Sequence, residues 1–263
     1  MPPGAEGANV AGRLKIGEEL RQVRVLITGA RGNLGAKLHH HLTGRYELVL
    51  TSHHSDGDSR IHAADLRVWD PGWVSLFARV DVVVHLAANP NRRATWPELV
   101  APNIDMVLNV YEAAVVNGVS RVIFASSNHV LSSYRDSTLP VLGSSTPPRP
   151  GNAYGATKLA GERIGKHFSE RHQLSSINVR IGWNRRGRNR PDPDTDDWAR
   201  WMWLSNRDFC HLMERCILAP LSVKWVIMNG VSNNAGSPWD LSEARAFVGY
   251  YPQDDAFNVS CSH

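Results

Sequence analysis

The sequence predicts an α/β protein built on a doubly wound parallel sheet, with a small C-terminal lobe. Three observations predict it. Short apolar runs recur at 23–28, 81–86 and 121–126 without polar alternation, as in strands covered on both faces. Segments with helical apolar spacing lie between such runs, which implies βαβ units. A glycine-rich turn, Thr28-Gly-Ala-Arg-Gly-Asn-Leu-Gly35, follows the first run and opens a helix.

Bulk composition narrows the class. A chain of 263 residues can bury a sizeable core. Its 42% hydrophobic and 21% charged content excludes a fibrous or broadly disordered protein. The net charge of +4 suits an anionic small molecule and lacks the clustered excess of a nucleic-acid binder. Cys210, Cys216 and Cys261 form no CxxC pair and are odd in number, which argues against a disulfide framework and for a reducing cytoplasm. No apolar run approaches the roughly 20 residues that span a bilayer, so no membrane partner is expected. Residues 1–20 lack a signal-peptide core and read as a flexible leader.

The elements follow in order. After the strand at 23–28 a helix is expected over 34–42, and a second strand over 47–51. The run at 81–86 is a third strand, and 104–117 has helical spacing that stops at Gly118. The run at 121–126 is a fourth strand. Pro147 to Gly151 is a loop that delivers a helix over 153–172, and 177–181 returns as a strand. Arg185 to Asp197 is too rich in Pro, Arg and Asp to be regular. Ser205-Asn-Arg-Asp208 has capping-box spacing and opens a helix toward Leu218, with a late strand over 223–228. The nine tryptophans gather mainly between Trp183 and Trp239, where they build and line the C-terminal lobe.

The glycine turn has the placement of a phosphate cradle, which makes the fold Rossmann-type. Gly29 takes the tight turn, Gly32 admits a pyrophosphate to the backbone, and Gly35 lets the helix approach the sheet. The helix start then offers unpaired N–H groups to the phosphates. The pattern points to a nicotinamide dinucleotide, with Asp65-Leu66 placed to border its adenine. A strand-end acid for the ribose is missing, since 50–54 reads Leu-Thr-Ser-His-His. Arg31 could meet a 2′-phosphate, helped by His53 or Arg60, which tilts the residues slightly toward NADP; alternatively Ser52 contacts the ribose of NAD. The chain then divides into a cofactor part at about 21–180 and a substrate-binding lobe mainly at 181–263, within one domain over 21–263.

Tyr154-Gly-Ala-Thr-Lys158 sets a phenol and an ammonium on one helix face. A free tyrosine titrates near 10 and a nearby cation favours its phenolate. Ser127, at the end of the 121–126 strand, would aim a reacting hydroxyl at Tyr154. Tyr154, Lys158 and Ser127 are therefore the candidate catalytic residues, and Tyr154 and Lys158 also hold the cofactor.

With these motifs, the chain resembles the extended short-chain dehydrogenases, the NAD-dependent epimerase/dehydratase family. The shared pieces are the glycine turn, Asp65-Leu66, His85-Leu-Ala-Ala88, Asn103 before a helix, and the Tyr154–Lys158 motif. A narrower likeness, in Phe124-Ala-Ser-Ser-Asn-His-Val130, Val179-Arg-Ile-Gly182, Trp203 to Asp208 and Gly249-Tyr-Tyr-Pro-Gln-Asp254, is to uronate dehydrogenases and related NAD-dependent hexose dehydrogenases. The resemblance implies oxidation of a pyranose C1 hydroxyl to a lactone, with NAD as cofactor and NADP as the alternative. It implies that Asn33, Leu34, Asp65, Leu66, Leu86, Ala87, Ala88, Asn89 and Asn184 line the cofactor, and that Pro90, Ser127, Asn128, His129 and Trp183 meet the sugar. Relatives form oligomers, so a homo-oligomer is expected.

The departures bear on the substrate. Where uronate dehydrogenases carry an acid near Ser52, none stands here. Trp183 replaces a small polar residue, and Met106-Val107 replaces Gly-Thr. Their uronate-binding arginine falls at Trp198, so Arg200 is the nearest stand-in, two positions off. The competing readings are a nucleotide-sugar epimerase or dehydratase, and a non-catalytic dinucleotide-sensing protein, which would be expected to lose the Tyr/Lys pair. His39-His40-His41 diverge around a helix and cannot share an ion, so no metal is expected. The arginines of 185–190 are offset by Asp192, Asp194, Asp196 and Asp197, which favours a solvated or gating loop over a nucleic-acid patch.

Overall fold

The computed structural model describes residues 13–16, 19–135, 141–191 and 194–258. Its first elements are β1 (Arg13–Ile16) and β2 (Glu19–Gln22), an antiparallel pair apart from the main sheet. Both strands overlap the segment expected as a leader over 1–20, whose other residues lie outside the described ones.

The main sheet has seven strands in the order β5-β4-β3-β6-β7-β8-β9, every neighbouring pair parallel. They are β3 (Arg24–Thr28), β4 (Glu47–Ser52), β5 (Ile61–Ala63), β6 (Val82–His85), β7 (Arg121–Ser127), β8 (Ser175–Ile181) and β9 (Trp225–Gly230). The chain winds outward from β3 to β5, then returns to β6 on the other side. A switch point therefore lies at the carboxyl ends of β3 and β6, where ligands of such sheets bind.

Strand side chains alternate between two cores, which is why the runs read as continuously apolar. Val25, Ile27, Val82, Val84, Ile123 and Ala125 face one; Leu26, Val83, Val122 and Phe124 face the other. On the first face lie α1 (Asn33–Leu42) and α7 (Asn206–Leu218), through Leu38, Leu42, Phe209, Leu212 and Met213. On the second lie the short α2 (Pro71–Val74), with Trp73, and α3 (Trp96–Val100), which runs through a π-helical turn at Ala101–Asp105 into α4 (Met106–Val116). Trp96–Val116 runs as 21 helical residues whose most apolar 18-residue window has a mean hydropathy of 1.3, long and apolar enough by composition to cross a membrane, but Glu98, Asp105 and Glu112 interrupt it, so it is not a continuous apolar run. Its Val110, Tyr111, Ala113 and Ala114 are fully buried in the second core. Gly118 ends α4 in the left-handed region (φ 67°).

Helix α5 (Ala153–Arg171) packs closely on β7 and β8. A Cβ on Gly161 would stand 2.3 Å from Phe124 Cζ, and one on Gly165 would stand 2.5 Å from Ser176 Oγ. Much of the expected C-terminal lobe belongs to the main layers, because β9 and α7 join them. What remains beside the sheet is α6 (Asp197–Trp201), the bridge between Trp183 and Trp203, and the strap over 231–258.

Only half of the expected capping box forms at α7. Ser205 accepts from Asp208 N–H, but the Asp208 carboxylate does not return the bond. It accepts instead from Ser232 Oγ, Gln253 N–H and Asp254 N–H at 2.7, 2.9 and 3.0 Å, tying the C-terminal strap to the helix.

Candidate active site

The switch point opens into a cavity of about 810 Å³, within the size range of ligand clefts. Its floor is the glycine turn and the start of α1: Gly29, Gly32, Asn33, Leu34 and Gly35. Gly29 (φ 67°) brings the turn against the end of β6, where a Cβ would be 2.9 Å from Ala87 N. At Gly35 a Cβ would lie 2.1 Å from Gly29 O, so the cradle exists only with hydrogen there. No side chain caps α1, and its first N–H groups are left for a ligand. Thr28 fixes the facing strand end: Oγ1 accepts from Leu86 N–H and Ala87 N–H at 3.2 Å and bonds His85 Nδ1 at 2.7 Å. A turn of this shape fits a dinucleotide pyrophosphate.

The opposite wall carries the candidate chemistry. Ser127, Tyr154 and Lys158 all line the cavity, with Asn128, His129, Trp183 and Asn184. Ser127 sits where β7 ends, its Oγ accepting from His129 N–H at 3.1 Å and hydrogen-bonding with the Tyr154 hydroxyl. Asn152 caps α5 by accepting from Gly155 N–H at 2.8 Å, which fixes its amide orientation. Asn152 Nδ2 therefore donates to His129 Nδ1 at 3.0 Å and leaves His129 Nε2 to carry the proton. The His129 ring stands edge-on to Tyr154 at 5.7 Å.

Burial dominates the electrostatics. It pushes the Tyr154 phenol up to about 12, only partly offset by Ser127. It pulls Lys158 down to about 7, while Nζ donates to Ala125 O at 2.9 Å and lies 5.7 Å from the centre of the Tyr154 ring. His85, fully buried beside this lysine, falls to about 3, through burial first and Lys158 second, and is neutral. The group that lowers the Tyr154 phenol against its burial is Ser127. The desolvation that raises the phenol also strips the ammonium of much of its charge.

The remaining residues singled out in the sequence divide. Leu86, Ala88 and Pro90 line the cavity. Asn184 does too, though its side chain is committed to the protein, accepting from Lys37 Nζ at 2.6 Å and donating to Leu204 O at 2.9 Å. Asn89 is off the wall: its backbone is gripped by the buried Asn103, which accepts from Asn89 N–H at 2.7 Å and reaches Thr157 on α5. Ala87, Ser52, Asp65 and Leu66 also lie outside the lining. Asp65 is held bidentately by Arg67, which takes its carboxyl down to about 2. Arg31 is ion-paired with Asp56 at 2.6 Å.

Arg200 is not brought to the cavity. Trp198 faces inward and lines it, and two helical residues further on the chain points away, so the Arg200 guanidinium covers Phe257 at 4.0 Å. Other cations do reach the cavity. Arg92, Arg135 and Arg186 line it, Arg135 pairing at 3.1 Å with Asp196, which also lines it. All three lie on loops or loop edges without periodicity, so only proximity to Pro90, Asn128 and Asn184 could have drawn attention to them.

The chain matches the model of the NAD dependent epimerase/dehydratase family over residues 25–200, and it belongs to that family. It is 34% identical over 251 residues to L-arabinose 1-dehydrogenase (NAD(P)(+)) of Haloferax volcanii, covering 90% of this chain and 98% of the relative. Uronate dehydrogenase of Pseudomonas putida is 34% identical over 242 residues, covering 89% and 85%. Among solved structures, glucuronic acid dehydrogenase from Chromohalobacter salexigens superposes with a TM-score of 0.77 at 31% identity, covering 89% of this chain and 85% of that one.

Proposed function

We propose that this protein is a nicotinamide-dependent sugar dehydrogenase that oxidises the C1 hydroxyl of a pyranose to a lactone. The observation that carries the reading is that Ser127, Tyr154 and Lys158 share one cavity with an uncapped, glycine-built helix start. One wall suits a dinucleotide pyrophosphate; the other presents a hydroxyl-aiming group and a proton acceptor. Relatives named for oxidising a pentose and a uronate, at equal identity, support the reaction class and leave the sugar open.

NAD would lie along Gly29, Gly32, Asn33 and Leu34 with its reactive ring toward Tyr154, and it supplies the acceptor for the C1 hydride. Ser127 Oγ holds the C1 hydroxyl in line with the phenol. Tyr154 takes the hydroxyl proton, and the Ser127 bond, which favours the phenolate, partly offsets its burial. Any cation entering the cavity shifts the same balance further toward phenolate. Lys158, anchored on Ala125 O, has donors left for a ribose or for Tyr154. His129 presents its Nε2–H to the sugar. Holding donor, acceptor and base in one geometry supplies much of the rate. The buried thiols of Cys210 and Cys216 suit a cytoplasmic setting.

The test is an initial-rate screen of hexuronates, aldoses and sugar phosphates with NAD and NADP, with the product identified. Reduced cofactor formed together with an aldonolactone supports the proposal. An epimerised or dehydrated sugar with no net cofactor reduction would replace it with the nucleotide-sugar reading.

A further inference from the structure

We infer that Asp56 sets the cofactor preference, selecting NAD over NADP from the turn after β4 rather than from the end of that strand. The inference rests on reading the cavity as a dinucleotide site. In such folds the adenosine ribose lies beyond the carboxyl end of the second strand, and an acid there receives the 2′-hydroxyl. Here β4 ends at Ser52 with no acid.

The next residues supply one. Ser55 to Asp58 form a turn closed by Asp58 N–H donating to Ser55 O at 3.1 Å. Asp56 (φ 45°) and Gly57 (φ 82°) are both left-handed, the signature of a type I′ turn. Aspartate and glycine are among the residues that tolerate this conformation, so the Asp-Gly pair builds the turn. It directs the Asp56 carboxylate back onto Arg31, Oδ2 to Nη2 at 2.6 Å. Arg31 itself stands beside the strand end, because Ala30 N–H donates to Thr51 O at 2.9 Å.

A free Arg31 would welcome a 2′-phosphate. Paired with Asp56 it does not. The phosphate would have to displace a carboxylate, or sit against one, and like charges oppose that. Arg60 and Arg67, on either side of β5, are likewise each held by a carboxylate, Arg60 by Asp58 at 3.0 and 2.8 Å and Arg67 by Asp65 at 2.8 and 2.7 Å. A ribose hydroxyl meets no such conflict. Because both partners of the Arg31–Asp56 pair are solvent-accessible, its role is selectivity and not stability.

Asp56→Asn removes the charge while asparagine keeps the left-handed backbone. NADH and NADPH are titrated separately, without sugar, into wild type, Asp56→Asn and the double variant Asp56→Asn/Arg31→Ala, with binding followed by calorimetry. The wild type is expected to bind NADH more tightly than NADPH. Asp56→Asn should move that ratio toward NADPH by more than about fivefold, and adding Arg31→Ala should cancel the gain. A shift below about fivefold in Asp56→Asn, no cancellation by Arg31→Ala, or a wild type that prefers NADPH overturns the inference and leaves the dinucleotide site standing. A wild type that binds neither nucleotide removes both.

Discussion

Glu162 and Arg180 form a fully buried ion pair directly behind the reactive wall, with Arg180 Nε and Nη2 meeting the carboxylate at 2.8 and 2.9 Å. Ser126 Oγ donates to the same carboxylate at 2.6 Å. Glu162 is one helical turn beyond Lys158 and two beyond Tyr154. The pair therefore fixes the rotation and depth of α5 relative to β7 and β8, and through them the spacing of Tyr154 from Ser127.

Breaking it should be costly. Glu162→Gln keeps the shape but leaves a buried guanidinium without a counter-charge, and the expected loss is about 3–5 kcal/mol in urea unfolding. A loss under about 1 kcal/mol would show that the pair does not hold the helix.

Gly161 is the second positioning device. Phe124, which its Cβ would strike, is fully buried and stacked on His85 at 6.0 Å, so it has no room to yield. Gly161→Ala should cost about 1–3 kcal/mol and lower turnover by pushing α5, with Tyr154, off the sheet. Unchanged turnover with lowered stability would mean that the wall tolerates the shift.

The lysine gives a pH signature. Unfolded, Lys158 holds its proton up to about 10.5; folded, it releases it near 7. Between those values the unfolded chain binds more protons, so this group's contribution to stability rises with pH above 7 and is lost as pH falls through 7. Cys210 and Cys216, pushed up to about 11 and about 12, act oppositely once unfolded thiols ionise, which restricts the window to about pH 7–8.5. Across it, wild type should gain about 1–2 kcal/mol relative to Lys158→Met. A constant difference between the two proteins would mean that Lys158 is not depressed.

Arg92 acts on His129. The histidine is held below its usual range by burial first and by Arg92 second. Arg92→Ala should raise the His129 pKa in an NMR titration and raise KM more for anionic than for neutral sugars. An unmoved His129 would place Arg92 outside the working cavity.

The sheet was legible because β3, β6 and β7 carry apolar residues on both faces, a pattern that burial between two helical layers dictates. The glycine turn and the Tyr154–Lys158 spacing were legible because backbone approach and helix periodicity leave few substitutes. The four-residue strands β1 and β2, three-residue β5 and the π-helical turn in 101–105 were not, since short or irregular elements carry no period. Arg200 stands outside the cavity lining for a physical reason: on α6 the inward position is already filled by Trp198. The arginines at the cavity and the Asp56–Arg31 pair depend on loop geometry that local sequence does not encode.

The account stands most directly on the Tyr154 hydroxyl, tested by comparing Tyr154→Phe with wild type for NADH binding and for lactone formation from the best sugar of the screen. It predicts nucleotide affinity within about twofold and turnover down by at least about 100-fold. A variant that binds NADH normally and keeps most of its turnover would contradict it.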